Sequence, residues 1–167
     1  MNTSDDPDRV PESTDPAVVE LDALDHSILS MLQADGRMPY RQIAREVGTS
    51  EGTVRARVGR MQSSGVLNIV AIADPFRLGY NVLAFVLLRS RSADHGRIID
   101  ELTSWTETTY VSSCVGSADI YMQIVCRDNA HLGTLLHSRL PAIDGVESVE
   151  TFVELKMHKV SYTYNED

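Results

Sequence analysis

At 167 residues the chain can hold one large or two small domains, and 43% hydrophobic content is ordinary for a globular protein. No apolar run reaches bilayer length, the longest strong one being Val82 to Leu88, and the N-terminus lacks the charged-then-apolar pattern of an export signal. A cytoplasmic protein without membrane association is expected. The formal net charge is -9, which argues against a chain coated with cations, yet residues 36 to 60 carry Arg37, Arg41, Arg45, Arg55, Arg57 and Arg60 against only Glu46 and Glu51. Cations gathered in one quarter of an acidic chain mark the place where an anion meets it.

Met1 to Val19 combines Asp5, Asp6, Asp8, Glu12 and Asp15 with Pro7, Pro11 and Pro16, and residues 1–20 read as a disordered acidic tail. A first helix is expected from about Asp22 to Asp35, capped by Asp22, with Leu24, Ile28 and Leu32 facing inward and Gly36 ending it. Pro39 suits the first turn of a second helix whose Ile43, Ala44 and Val47 are buried, and Gly48 supplies the tight exit.

A third helix starts after Ser50, an N-cap whose hydroxyl can accept the Thr53 amide. At 100° per residue Val54, Val58 and Met61 form one inward stripe, while Gly52, Thr53, Ala56, Gly59 and Arg60 lie opposite. A surface of glycine, alanine and threonine has little apolar area to bury but lets a helix backbone come close to a groove floor. Arg55 and Arg57 would project from its two edges toward phosphates. A helix pair of this kind is how a compact domain inserts one helix into the major groove of DNA. Arg41, Ser50, Thr53, Arg55, Ala56, Arg57 and Arg60 are the candidate DNA-binding residues.

Val66 to Ala73 alternates well enough for a strand or wing, broken by Asp74-Pro75, and residues 74–80 read as a linker. Val82 to Leu88 is apolar throughout, so a strand covered on both faces is expected: helices on one side and a second subunit on the other. A helix on Ile98, Leu102 and Trp105 follows, then strands at Thr109 to Val115 and Asp119 to Cys126. A helix through Leu132, Leu136 and Leu140, with Leu135 beside them, comes next, and a strand from about Val146 to Met157 completes a β-α-β-β-α-β order. Residues 74 to 167 carry eight basic and thirteen acidic side chains, so this half is not expected to touch DNA.

Cys114 and Cys126 form no close pair, and His26, His95, His131, His137 and His158 are scattered, so no metal site, disulfide framework or catalytic constellation is read and no cofactor is expected. Gly116-Ser117-Ala118-Asp119 reads, on its residues alone, as a turn between two strands.

Several stretches together resemble the Lrp/AsnC (feast/famine) transcription regulators: Leu21 to Leu29, Leu32 to Arg37, Ile43-Ala44 through Ser50, Val54 with Arg57-Val58 and Arg60-Met61, Ala71 to Pro75 with Leu78-Gly79, Val115 to Asp119, and Leu140-Pro141 with Gly145-Val146 and Thr151. The resemblance covers about residues 21 to 158. It implies an α+β chain, with a winged helix-turn-helix domain at 21–73, a ferredoxin-like (RAM/ACT-like) ligand-sensing and oligomerisation domain at 81–158, and a C-terminal tail at 159–167. It further implies double-stranded DNA as partner, self-association as a dimer and a larger even oligomer such as an octamer, and an amino-acid effector. Carried over residue by residue, the effector loop is Gly116, Ser117, Ala118 and Asp119, with Thr151 nearby on the last strand. Many members have an acidic and then an aromatic residue where this chain has Ser117 and Ala118, which implies a smaller, less charged pocket. Two other readings stand beside this one: an enzyme resembling siroheme decarboxylases on the same architecture, and an architectural DNA-binding protein without effector.

Overall fold

The structure, a computed structural model, describes residues 19–160, so the acidic tail and the C-terminal tail expected from the sequence fall almost wholly outside the described residues. The described chain divides into two compact units, 19–71 and 72–160.

The first unit is three helices: α1 Ala23–Ala34, α2 Tyr40–Glu46 and α3 Glu51–Ser63. Each helix start is fixed by a local device. Asp22 accepts the Leu24 and Asp25 amides, and Asp25 answers by accepting the Asp22 amide, a reciprocal capping box. Pro39 precedes α2 with its φ already helical. Gly48, at φ +70, lets the Thr49 amide turn back to the Ala44 carbonyl at 2.9 Å, so the chain leaves α2 and enters α3 within a few residues. Ile28, Leu32, Ile43, Ala44, Val54, Val58, Met61 and Leu67 close one core, and Val54, Ile43, Ile28 and Met61 have no exposed surface.

The strand expected at 66–73 is a correction: residues 66–74 carry none. A strand exists only where a neighbour accepts its amides, and a single copy offers no such neighbour here. Leu67 alone tucks into the helical core, while Val66, Ile69, Val70 and Ile72 stay 36–64% exposed.

The second unit is a four-stranded antiparallel sheet in the order β2-β3-β1-β4, built from β1 Val82–Ser90, β2 Thr108–Ser113, β3 Ile120–Cys126 and β4 Val146–Val153. Two helices, α4 His95–Thr103 and α5 Asn129–Thr134, complete the β-α-β-β-α-β order. Strand alternation sorts the side chains of β1. Val82, Ala84, Val86 and Leu88 join Ile120, Met122 and Ile124 of β3 in the core, with Ile98, Leu102 and Trp105 of α4 and its end. Their neighbours point the other way, to a sheet face that the helices leave open. Phe85 stacks on Tyr121 there with ring centroids 6.0 Å apart, Tyr110 meets Tyr121 edge-on at 5.7 Å, and Phe152, opposite Phe85, is half exposed.

Two element boundaries differ from expectation. The last strand ends at Val153 rather than near Met157. The helix after β3 does not stay α-helical: α5 passes into a π turn at Leu135–Arg139 and a 3₁₀ turn at Leu140–Ala142. The wider π turn brings residues five apart onto one side. Leu135 and Leu140 are therefore the buried pair, and Leu136, expected in the stripe, is only partly buried.

Candidate nucleic-acid interface and effector loop

The exposed face of α3 follows from what its inner face must bury. With Val54, Val58 and Met61 packed inward, Gly52, Ala56 and Gly59 come out to solvent, and a Cβ placed on Gly59 would meet nothing within 4 Å. The Ser50 hydroxyl accepts the Thr53 amide at 3.1 Å and lies 2.9 Å from the Thr53 hydroxyl, so the helix begins on a satisfied cap with its positive end outward. Arg55 stands on one edge, two-thirds exposed, paired with Glu51 at 2.9 Å and 5.4 Å above the Tyr40 ring. Arg41, on α2, is exposed and has no acidic partner among the described residues.

The other edge differs from the sequence expectation that Arg57 projects freely toward phosphate. Arg57 bonds the carboxylate of Asp22 and lies 3.1 Å from that of Asp25, while Arg60 donates to the second Asp25 oxygen. Asp25 has no exposed surface. A buried carboxylate is tolerated only when cations and donors surround it: the two arginines supply the charge, and Arg60 and the Asp22 amide donate to Oδ2. The Arg57 guanidinium and the Asp25 amide hold the Asp22 carboxyl down at about 2. Burial works against ionisation of Asp25, but the Asp22 amide and the two arginines outweigh it and its pKa falls below the ordinary value. Sequence reasoning named Asp22 and missed Asp25. The available signal was a carboxylate in register with Ile28 and Leu32, on the side of α1 that becomes buried.

In the second unit, residues 114–119 join β2 to β3. Gly116 adopts φ +143, Ala118 is buried, and Ser117 is exposed. The Cys114 amide donates to the Asp119 carbonyl at 2.9 Å, and the Asp119 amide donates to the Leu88 carbonyl at 2.9 Å. Asp119 Oδ2 accepts the Ser90 amide at 2.9 Å, which locks the loop to the end of β1. Arg89, which the sequence reading did not single out, donates through Nε to the Ser117 carbonyl at 2.9 Å and through Nη2 toward the Gly116 carbonyl at 3.4 Å. Thr151 stands elsewhere: on β4 it pairs in register with Val86 of β1, and β1 lies between it and β3, so one chain does not bring it to the loop. A shallow depression of about 530 Å³ on the open sheet face is lined by Leu87, Tyr110, Ser112, Cys114, Tyr121 and Gln123. Among the described residues there is no group of three or more His, Cys, Asp or Glu arranged to hold a metal ion. No helix among them is long and apolar enough to cross a membrane.

Comparison with known proteins agrees with both halves. Residues 21–62 match the AsnC-type helix-turn-helix domain, and residues 83–164 match the Lrp/AsnC ligand binding domain. An HTH-type transcriptional regulator of Pyrococcus horikoshii is 36% identical over 86% of this chain and 92% of its own length. The structure of Escherichia coli AsnC superposes with a TM-score of 0.80 at 28% identity, covering 87% of this chain and 99% of that one. A Neisseria meningitidis transcriptional regulator solved as its L-methionine complex shares the fold, with a TM-score of 0.79 at 21% identity over 87% of this chain and 97% of its own. The chain belongs to the Lrp/AsnC family of transcriptional regulators.

Proposed function

We propose that copies of this chain associate through the open sheet face, present paired α3 helices to successive major grooves of operator DNA, and change assembly or DNA affinity when an amino acid binds beside residues 114–119. Gly52, Ala56 and Gly59 lie along an exposed helix face beneath a capped N-terminus, and this is the observation that carries the DNA reading. Thr53 and Ala56 face the bases, Ser50 caps the end that meets the backbone, and Arg41 and Arg55 reach phosphates. Arg57 and Arg60 serve from the inner edge, fixing the direction of α3 through Asp22 and Asp25.

Phe85, Tyr110, Tyr121 and Phe152 make an aromatic face of the kind that two-fold association buries, and a dimer would place two α3 helices about one DNA turn or a multiple apart. Dimers could pair further into a larger even assembly such as an octamer, and a site on genomic DNA puts the protein in the cytoplasm. The effector reading is supported by the loop architecture and by the L-methionine bound in the Neisseria relative of like fold. An effector acts only through its different affinity for two arrangements of the subunits.

The test is binding of the full chain to DNA from upstream of its own gene, measured with and without each of the twenty amino acids. Sequence-selective retention that one amino acid strengthens or weakens is the expected result. Equal retention on unrelated DNA with no amino-acid response would replace this reading with an architectural one.

A further inference from the structure

The effector loop is underlaid by a cation whose charge is unspent. Of the five other arginines of the second unit, four face a carboxylate, Arg77 with Asp74, Arg91 with Asp94 and Asp144, Arg97 with Asp94, and Arg139 with Glu107, while Arg127, just past β3, has no ion-pair partner among the described residues. Arg89 is different. It is exposed, its partners are the neutral carbonyls of Gly116 and Ser117, and no described carboxylate lies within ion-pair distance of it, Asp119 included. Two of its five N–H groups hold the loop, and the rest of the fork keeps the geometry that matches a carboxylate.

Asp119, the last residue of the same loop, supplies the opposite sign, and its Oδ2 accepts the amide of Ser90, the residue next to Arg89. Strand alternation places Arg89 on the same face as Leu87, which walls the depression containing Tyr110 and Tyr121. A cation, an anion and an apolar hollow thus adjoin one tight loop, the pattern that a zwitterion with an uncharged side chain fits.

We infer that Arg89 captures the α-carboxylate of the amino-acid effector, with Asp119 orienting its ammonium group. This rests on the effector reading above and adds the residue that reads the carboxylate. An arginine here discriminates by charge-assisted, paired hydrogen bonds that an amide cannot return.

The experiment uses the full chain. Thermal shift against the twenty L-amino acids selects the tightest binder, and calorimetry then compares that amino acid with its own α-amide. The wild type is expected to favour the free acid by at least about tenfold. Arg89→Gln should weaken binding of the acid by a similar factor, leave binding of the amide unchanged, and so abolish the discrimination, while Arg89→Lys restores part of it. If Arg89→Gln still prefers the acid as strongly as the wild type, Arg89 only pins the loop and the inference falls alone. If the wild type binds none of the twenty, the effector reading falls and takes the inference with it.

Discussion

The Arg57 guanidinium lies 3.1 Å from the carboxylate of Asp25, a side chain with no exposed surface, and so ties the helix proposed to read DNA to the start of the first helix. The same carboxylate receives Arg60, one turn further along α3. Asp25→Asn keeps the shape but removes the charge both arginines answer. The expected cost is about 1–3 kcal/mol, below the usual figure for a fully buried pair because Arg60 is half exposed. Chemical denaturation checks the loss, and an unchanged midpoint would remove Asp25 from the scaffold.

Acid should act at the same place. Asp22, lowered to about 2, and Asp25, also lowered, are ionised in the folded chain at pH values where the unfolded chain already binds the proton. Their contribution is therefore complete above the unfolded carboxylate range near pH 4. It is lost progressively as the pH falls through that range toward about 2. Thermal melts of the full chain between pH 5 and pH 2 should show this decline, and Asp22→Asn should flatten it. A variant with the same acid limb as the wild type would mean that Asp22 carries none of it.

The exposed face of α3 offers a variant in which stability and binding move in opposite directions. Gly59→Leu places a side chain in open space and replaces a poor helix former, so folding should gain about 0.5–1 kcal/mol. The same side chain would hold the backbone off a groove floor, and DNA affinity should fall at least about tenfold. Melting temperature and electrophoretic mobility shift on one preparation test both halves, and tight DNA binding by a stabilised variant would place the groove contact elsewhere.

Phosphate contacts can be separated from scaffold contacts by salt. Arg41→Gln and Arg55→Gln should each reduce the slope of log affinity against log salt by roughly 1. Arg57→Gln should lower stability and leave the slope intact, because its guanidinium is already held by Asp22 and Asp25. A reduced slope for Arg57→Gln would show that DNA draws this arginine away from its carboxylates.

What could be read from the sequence was local. Ser50 and Asp22 are caps whose partners lie within three residues, and Val54, Val58 and Met61 repeat at the helix period, so both were legible before any fold existed. The Asp25 network was not, since its members come from helices at opposite ends of the unit. The π turn has no signature in the leucine spacing: a 3.6-residue period carries Leu136 inward with Leu132 and Leu140, whereas the chain buries Leu132, Leu135 and Leu140 and leaves Leu136 partly exposed. The alternating residues 66–73 express a pattern that only a neighbouring strand could turn into a sheet. Arg89 carries no signal of its own in the sequence: it follows an apolar run, and the Ser117 carbonyl that it holds lies 28 residues away.

The open sheet face yields the remaining prediction. Phe152 sits on the edge strand opposite Phe85 and stays half exposed in one chain, so replacing it removes little from that chain's own core. If two copies pack face to face, the same ring is buried at the centre of their contact, where aromatic anchors carry most of the association energy. Phe152→Lys places a charge there, and a loss of about 2 kcal/mol or more in association is expected, equivalent to a dimer dissociating roughly thirtyfold more readily. Sedimentation velocity over a range of concentrations reads this directly. Because two α3 helices must act together, DNA affinity should fall in parallel although no residue near the DNA has changed. A variant that sediments like the wild type would show that self-association uses another surface.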